Sequence, residues 1–316
     1  MPNPDLILSV IIVNWNTRDL LAQCLASVFG NPPAIEFEVI VVDNASSDCS
    51  TDMVRERFPQ VILIENGENV GFSRANNQAL RRALEVGSHI LFLNSDTLLR
   101  SGAIDILLRV MEEQPHVGAV GPKMLNPDGT IQNSYGSLPS VLEEIIGPYI
   151  RDELIRPWGR IGRYLPNPYD RDCQIVKRVS FACTLVRDKV VRQVGFLDES
   201  FAFYSEDYDF FKRLADAHWD VLYCPEAEVT HYWGASSSKR NNWALRQLYR
   251  SKRIYFEKHH GKRVRQILDL GLKFRFSTKL ALTTTHRLLH TKSADEKVNT
   301  QRMLLKDLQK DPYNVQ

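Results

Sequence analysis

Two aspartates, Asp43 and Asp96, each follow a run of branched apolar residues and stand beside asparagine or serine. Asp43 could accept a hydrogen bond from the imide N–H of a nucleobase. Asp96 could bind a hard divalent cation, which prefers oxygen ligands and lets substrate phosphates complete its shell. For either aspartate alone, capping of the turn after a strand is the more frequent explanation. Two such residues together favour a binding site.

A third acidic group lies in the aromatic stretch FAFYSEDYDFF, residues 201–211, which contains Glu206, Asp207 and Asp209. The first turn of a helix favours acidic residues, because the helix macrodipole stabilises negative charge there. This explanation accounts for the placement of the charges. It leaves Asp207 without a chemical role.

The first 125 residues contain the elements that would position these groups. The runs LILSVIIVN, FEVIVVDN, VILIEN, HILFLNSD and VGAVGPKML are continuously apolar, which is typical of strands buried on both faces. Amphipathic segments separate them, and Thr17 could cap the first of these helices. Alternation of strands and helices predicts an α/β fold, with a parallel sheet covered by helices on both faces.

Ligands bind at the carboxyl ends of the strands in such a sheet. The residues predicted at those ends are all polar: Asn14, Asn16, Asp43, Asn44, Asn94, Ser95 and Asp96. No G-x-G-x-x-G follows the first strand, and no G-x-x-x-x-G-K-S/T occurs in the chain. The pattern therefore argues against a dinucleotide oxidoreductase and against a P-loop phosphotransferase.

Several motifs occur in a fixed order: LSVIIVNWN, VIVVDNASSDCS, ENVGFSRANNQAL, LFLNSDT, GFLDESFAFYSEDYDFFKRL and EVTHYWGASS. In this order they resemble the family 2 inverting glycosyltransferases, particularly the rhamnosyltransferase-like branch, over about residues 6–240. The resemblance implies a GT-A fold, which is Rossmann-like with a mostly parallel sheet and helices on both faces. It also implies a nucleotide-diphospho-sugar donor.

The resemblance assigns the strand-end residues to the donor. Asp43 is similar to the carboxylate that reads the uracil or thymine ring, with Asn14 and Asn16 lining the same pocket. Asp96 matches the last carboxylate of the Asp-x-Asp metal motif, so the implied cofactor is Mg²⁺ or Mn²⁺. Position 94 of this chain is asparagine, and this departure weakens the expected metal site. Asn94 and Ser95 would also bind the donor.

The remaining roles also follow from the resemblance. Asp207 is similar to the general base that takes the proton from the acceptor hydroxyl, and Glu206 would orient the acceptor. His231 is similar to a metal ligand of some relatives, although a lone histidine is more often a surface or core residue. Arg74 and Lys239 are candidate ligands of the donor diphosphate, since cationic donors suit phosphate oxygens. Arg74 could equally be a solvated helix residue.

The charge of the chain is asymmetric. From Ser236 to the end there are 19 lysine and arginine residues against 6 aspartate and glutamate residues, a net charge of +13. The preceding 235 residues have a net charge of −11. The sequence therefore predicts a transferase domain at residues 1–238 and a basic helical extension at residues 239–316. An anionic membrane surface suits such an extension better than nucleic acid, for which no recognition motif occurs.

A solvated helical face or a dimer contact explains the extension equally well. The five cysteines are scattered and form no Cys-x-x-Cys pair, and the amino terminus has no signal-peptide pattern. These features favour a cytoplasmic protein, with peripheral attachment to the inner face of the cell membrane as a further expectation. The predicted partners are a nucleotide-diphospho-sugar and a glycan or polyprenyl-linked oligosaccharide.

The leading hypothesis is an inverting, metal-dependent transferase of cell-surface polysaccharide synthesis, with dTDP-L-rhamnose as donor. Three alternatives stay open: a UDP-sugar donor, a catalytically silent subunit that binds a nucleotide-sugar, and a membrane-scaffold or nucleic-acid-binding protein that works through its basic extension.

Overall fold

The computed structural model describes most of the 316-residue chain, namely residues 7–147, 172–201, 203–232, 241–287 and 293–314. The described residues form two compact units. The first unit comprises residues 7–138, 172–201 and 206–232. The second comprises residues 139–147, 203–205, 241–287 and 293–314. The domain boundary predicted between residues 238 and 239 lies outside the described residues.

A mixed β-sheet forms the centre of the first unit. The strands described in this unit are β1 Ile7–Asn14, β2 Glu36–Asp43, β3 Ile62–Glu65, β4 His89–Asn94, β5 Thr97–Leu99, β6 Val117–Leu125, β7 Ile131–Gln132, β8 Tyr135–Gly136, β9 Gln174–Val176, β10 Arg178–Val179, β11 Cys183–Val186 and β12 Asp220–His231. The order along the sheet is β3-β2-β1-β4-β11-β6-β12-β5, with β7 paired to β6 and β9 paired to β12. The strands β8 and β10 pair separately.

The direction of the strands changes across this sheet. The pairs among β3, β2, β1 and β4 are parallel, as the strand-helix alternation predicts. Strand β11 then enters antiparallel to both β4 and β6, and β12 runs parallel to β6. The parallel half aligns the carboxyl ends of its strands, so Asn14 stands opposite Asp43 and Val13 opposite Asn94. The polar strand ends thus share one edge.

Helices cover both faces of the sheet. Those described in the first unit are α1 Arg18–Gly30, α2 Ser50–Arg57, α3 Phe72–Val86, α4 Ala103–Glu113, α5 Asp188–Val194 and α6 Glu206–Asp216. Alternate residues of β1 face opposite sides, so Leu8 and Val10 pack in one apolar cluster and Ile11 packs in the other. The α/β fold class predicted from the sequence is confirmed in this unit.

The second unit is helical. Its labelled helices are α7 Asn241–His260, α8 Lys262–Arg287 and α9 Ser293–Asp307, followed by a 3₁₀ turn at Pro312–Asn314. Residues 141–147 are also helical. A β-carbon on Gly271 of α8 would collide with the side chain of Ile145, so glycine is required for this close approach. The predicted helical extension is confirmed. No helix in the described part of the chain is both long and apolar enough to span a membrane.

Candidate active site

The carboxyl ends of β1 and β2 are joined by a buried hydrogen-bond network. Asn14 Nδ2 donates to Asp43 Oδ1 at 2.7 Å and also lies 3.1 Å from Ser46 Oγ. The Ser46 backbone N–H donates to Asp43 Oδ2 at 2.8 Å. Each Asp43 oxygen therefore accepts one hydrogen bond from the protein and keeps a lone pair for another donor. The side chain is held in one orientation before any ligand arrives.

The loop after β1 is tied to the loop after β2 through Asn16. The Asn16 backbone N–H donates to Ser46 Oγ at 2.9 Å, and Asn16 Oδ1 accepts from the Ser47 N–H at 2.8 Å. Asn16 and Ala45 have φ angles of 54° and 57°, in the left-handed region that residues other than glycine seldom adopt. Strained backbone of this kind clusters at ligand sites.

A hydroxyl pair extends the network to β4. Thr17 Oγ1 donates to Asn14 Oδ1 at 2.7 Å, and Ser95 Oγ lies 2.8 Å from the same hydroxyl. Thr17 occupies the N-cap position of α1, as predicted, but its side chain makes no capping hydrogen bond. The Thr17 hydroxyl instead donates to Oδ1 of the buried Asn14 side chain. Asn94 contributes backbone contacts: its N–H donates to Ala182 O and its carbonyl accepts from Thr97 Oγ1.

Asp96 and His231 lie side by side at the same sheet. His231 is the last residue of β12, where it pairs with Thr97 of β5. Its Nε2 atom is 3.3 Å from Asp96 Oδ1, and both side chains are buried. The Tyr232 backbone N–H donates to Asp96 O at 2.9 Å, which fixes the two segments together.

Gln132 determines which nitrogen of His231 carries a proton. Gln132 Nε2 donates to Asn126 Oδ1 at 2.9 Å and to the His231 carbonyl at 3.4 Å, so Gln132 Oε1 must face the ring. Oε1 lies 2.7 Å from His231 Nδ1, which therefore carries the hydrogen. In the neutral ring, Nε2 then presents a lone pair toward the Asp96 carboxylate. Either a proton or a metal ion between the two atoms would satisfy both.

This pair fits a small divalent cation. Two ligands at about 2.1 Å from one ion and at right angles are about 3 Å apart, close to the observed 3.3 Å. The hydrogen bond from Nδ1 is the usual second contact of a metal-bound histidine. No cluster of three or more histidine, cysteine or acidic side chains capable of holding a metal occurs within the described ranges. Other ligands would have to come from substrate or water.

Glu206 and Asp207 begin α6, as the acidic first turn predicts. Burial, together with the charge of Asp207, raises the pKa of Glu206 to about 8. Burial also raises the pKa of Asp207, while the nearby Arg178 guanidinium and the hydrogen bond from the Tyr208 N–H act in the opposite direction. Two adjacent carboxyls whose surroundings separate their pKa values can be neutral and ionised at the same pH. Burial favours the protonated form of Glu206, whereas Arg178 and the Tyr208 N–H favour the charged form of Asp207.

Arg74 lies near the start of α3 and is half exposed. Its Nε atom donates to Glu199 Oε2 at 3.0 Å, and Asn77 Nδ2 donates to the other carboxylate oxygen at 3.1 Å. Exposed pairs of this kind are weak, so Arg74 is free to exchange this partner for a phosphate. Lys239, the other predicted diphosphate ligand, lies outside the described residues.

The structure thus brings most of the predicted donor residues into contact: Asn14, Asn16, Asp43, Ser95, Asp96 and His231 belong to two hydrogen-bonded groups. Arg74, Glu206 and Asp207 have the separate contacts given above. Sequence reasoning missed Ser46, Gln132 and Arg178. Ser46 lies within the quoted motif VIVVDNASSDCS, which marks the segment but not this residue, whereas Gln132 and Arg178 lie in none of the quoted motifs.

The mixed sheet has helices on both faces and polar residues at the ends of its parallel strands. This is the architecture expected of the GT-A class of glycosyltransferases. Residues 9–195 match the family model described as Glycosyl transferase family 2. The chain belongs to that family, and the resemblance read from its motifs is confirmed.

Among curated proteins, the chain is similar to the N-acetylglucosaminyl-diphospho-decaprenol L-rhamnosyltransferase of Mycobacterium tuberculosis. The two are 28% identical over 267 residues, which cover 80% of this chain and 85% of the relative. A second similar protein is the low-salt glycan biosynthesis hexosyltransferase Agl10 of Haloferax volcanii. It is 24% identical over 242 residues, which cover 71% of this chain and 66% of the Agl10 chain. The chain is therefore a glycosyltransferase with a rhamnosyltransferase-like sequence.

Two solved structures share the fold. The mannosyltransferase PcManGT of Pyrobaculum calidifontis, in complex with GDP-Man and Mn²⁺, has a TM-score of 0.52 at 16% identity and covers 95% of this chain and 85% of its own. GalNAc-T7 with UDP, GalNAc and Mn²⁺ has a TM-score of 0.54 at 14% identity. That match covers 79% of this chain but half of the GalNAc-T7 chain. At these identities the likeness establishes the fold alone.

Proposed function

We propose that this glycosyltransferase is inverting and dependent on a divalent metal, and that it acts in cell-surface polysaccharide synthesis. It would move a sugar from a nucleotide-diphospho-sugar to a hydroxyl of a glycan or lipid-linked acceptor. The leading donor is dTDP-L-rhamnose, because the similar mycobacterial protein is named as an L-rhamnosyltransferase. That name also contains a decaprenol diphosphate, which favours a polyprenyl-linked acceptor.

The observation that carries the proposal is the pair of buried groups at the strand ends. Asp43 is held by Asn14 and Ser46 with one lone pair free on each oxygen, as recognition of a pyrimidine imide N–H requires. Asp96 and His231 would supply two adjacent ligands to Mg²⁺ or Mn²⁺, and the donor diphosphate would provide further oxygen ligands. When bound, the metal ion stabilises the negative charge that develops on the departing diphosphate.

Asp207 is proposed as the general base. Its carboxylate would take the proton from the acceptor hydroxyl as that oxygen attacks the anomeric carbon from the face opposite the nucleotide. One displacement inverts the anomeric centre. The Arg178 guanidinium and the hydrogen bond from the Tyr208 N–H both favour the charged form of Asp207, which a base requires.

Glu206 is proposed to orient the acceptor. Its Oε2 atom is buried and has no hydrogen-bond partner in the described part of the chain. A neutral carboxyl group carries a hydrogen that can be donated to an acceptor hydroxyl. An unpartnered buried oxygen costs free energy, which the bound acceptor would recover.

Arg74 and Lys239 are proposed as diphosphate ligands. Residues 1–238 are proposed as the transferase domain, and residues 239–316 as the basic helical extension. Arg74 would leave Glu199 for a phosphate oxygen, which offers it a stronger charge-assisted hydrogen bond. We further propose that the protein works in the cytoplasm at the inner face of the cell membrane. A polyprenyl-linked acceptor would be presented there.

Calorimetric binding of dTDP, UDP and GDP, with and without Mn²⁺ or Mg²⁺, tests the donor site. We expect metal-dependent binding of one nucleotide, lost in both Asp43→Ala and Asp96→Asn. Asp52→Ala, which removes an exposed carboxylate paired with Arg55, is the matched control and should bind normally. Binding of UDP in preference to dTDP would replace the rhamnose donor with a UDP-sugar. Absence of binding to all three nucleotides would contradict the proposal.

The silent-subunit alternative is tested separately by sugar transfer. A subunit that only binds a nucleotide-sugar would retain nucleotide binding and show no transfer in either the wild type or Asp207→Asn. Retention of both Asp207 and Asp96 in this chain favours the active enzyme.

A further inference from the structure

Helix α8 has two apolar faces, and the second unit buries one of them. Leu268, Leu272 and Phe276, spaced by four residues, are fully buried or nearly so. On the other side, Ile267 is 58% exposed, and Leu270 and Phe274 are each 71% exposed. We call these last three residues the outer face of α8. Their spacing of three and four residues places them side by side.

The exposed charges of α8 beside its outer face are positive. Arg263 and Lys273 are exposed, one turn before Ile267 and one turn after Leu270. The single acidic residue of α8, Asp269, is buried and bonded to Arg253 and Arg265. No carboxylate of α8 therefore offsets the positive charge beside its exposed apolar side chains.

We propose that the outer face of α8 binds the surface of an anionic membrane. Its apolar side chains would enter the boundary between headgroups and acyl chains, and Arg263 and Lys273 would contact lipid phosphates. Charge selects this occupant over a second copy of the chain, which would bring the same positive residues against each other. The inference extends the proposed function, since a lipid-linked acceptor lies at the same surface.

Cosedimentation of the full chain with vesicles tests the proposal. The protein should sediment with vesicles of phosphatidylcholine that contain about one third phosphatidylglycerol. It should stay in the supernatant with vesicles of phosphatidylcholine alone. The double variant Leu270→Ser/Phe274→Ser should lower the partition coefficient on anionic vesicles at least tenfold. Arg263→Gln/Lys273→Gln should also weaken binding and should reduce its dependence on salt.

The matched control is Val86→Ser/Ile175→Ser, which removes two apolar side chains of the first unit that are 43% and 64% exposed. This variant should bind vesicles like the wild type. Circular dichroism and thermal unfolding of each variant identify any loss of folding. Nucleotide binding should be unchanged in the outer-face variant. The vesicle test does not depend on nucleotide binding or sugar transfer, so the membrane proposal and the transferase proposal can fail separately.

Two results would overturn the inference. One is equal vesicle binding by the wild type and the outer-face variant. The other is a wild-type dimer in sedimentation equilibrium that the Leu270→Ser/Phe274→Ser substitutions dissociate, without vesicle binding by either protein. The second result would identify the outer face as a contact between copies of this chain.

Discussion

Single side chains hold the strand-end site in position before ligand binding. Asn14 contacts Asp43, Ser46 and Thr17 at once, and Thr17 in turn contacts Ser95. All these contacts are short and at least partly buried, so the orientation of Asp43 does not depend on the nucleotide. Preorganised polar groups bind without the cost of ordering them at that moment. The same reasoning applies to His231, whose ring is oriented by Gln132.

Replacement of Gln132 by leucine should weaken metal-dependent nucleotide binding by about 10- to 100-fold, because His231 loses the partner that orients its ring. Calorimetry with Mn²⁺ and nucleotide measures the change. Gln132→Glu should restore much of the affinity, since a carboxylate also accepts from Nδ1. The control is Gln23→Leu on the exposed side of α1. Equal loss in the leucine and glutamate variants would contradict a positioning role.

Asp207→Asn should lower sugar transfer by about 10²- to 10⁴-fold while nucleotide binding is retained, because asparagine cannot accept the proton. In the wild type, transfer should rise with pH as Asp207 ionises. Burial raises the pKa of Asp207, so this acidic limb should lie above the range of an ordinary aspartate. Initial rates across pH measure it. A pH-independent residual rate is expected for the variant, and an unimpaired rate would exclude Asp207 as the base.

Glu206 makes the fold less stable as pH rises. Its pKa is about 8 in the folded chain and near 4.5 when unfolded, so between these values the folded state binds more protons. Stability from this group is present below pH 4.5 and is lost as the pH approaches 8. Glu206→Gln should therefore unfold at a higher temperature than the wild type at pH 8, with a smaller difference at pH 5. Calorimetric scans at both pH values measure this, and an equal difference at both would contradict it.

At the scale of elements, an ion pair joins two helices of the second unit. Arg253 of α7 donates to both oxygens of Asp269 on α8, at 2.7 and 3.2 Å, and both residues are buried. Arg265 donates to the same carboxylate at 2.6 Å. Arg265 also pairs with Glu257 at 2.8 Å, so the loss of Asp269 would leave Arg253 as the buried cation without its counter-ion. Removal of one member of a buried pair leaves an uncompensated charge.

Asp269→Ala should destabilise the second unit by about 3–5 kcal/mol, because Arg253 would stay buried without its counter-ion. Denaturant unfolding followed by far-UV circular dichroism measures the loss. Asp52→Ala, which breaks an exposed pair with Arg55, should cost about 0–1 kcal/mol and serves as control. Similar small effects in both variants would show that water reaches Arg253 in the folded protein.

At the scale of the whole molecule, the candidate donor site belongs to the first unit alone. Nucleotide with Mn²⁺ should therefore slow amide hydrogen exchange in the segments that carry the site, residues 14–18, 43–48 and 94–97. At a nucleotide concentration of about 100 times Kd, binding stabilises the folded state by about 2.7 kcal/mol. This corresponds to roughly 100-fold slower exchange for amides that exchange only after the ligand is released. Exchange in α7 and α8 should be unchanged.

Hydrogen exchange with mass spectrometry measures this for both units at once. Asp43→Ala is the control, and it should show no ligand-dependent protection. Protection in α7 or α8 instead of the strand ends would mean that the nucleotide binds the second unit, contrary to the proposed function.

Local pattern in the sequence was sufficient for the family, the elements and most of the residues at the strand ends. The apolar runs that end at Asn14, Asp43 and Asn94 are strands, because burial on both faces selects branched apolar side chains at every position. Helix α6 begins at Glu206, because first-turn acids are favoured by the helix macrodipole. The ordered motifs are sufficient to identify the family, because they require no knowledge of tertiary contacts. The catalytic and metal-binding roles remain predictions.

Tertiary structure alone decided contacts between residues distant in the chain, since these leave no periodic or local pattern. Gln132 meets His231 across 99 positions, and β11 enters between β4 and β6 in a direction that strand composition does not encode. Thr17 was predicted as a helix cap, yet its hydroxyl turns to Asn14. In α8, apolar residues occur on both sides, and neighbouring helices determine which are buried. Leu272 is therefore covered and Phe274 is not, although both are apolar residues of one helix.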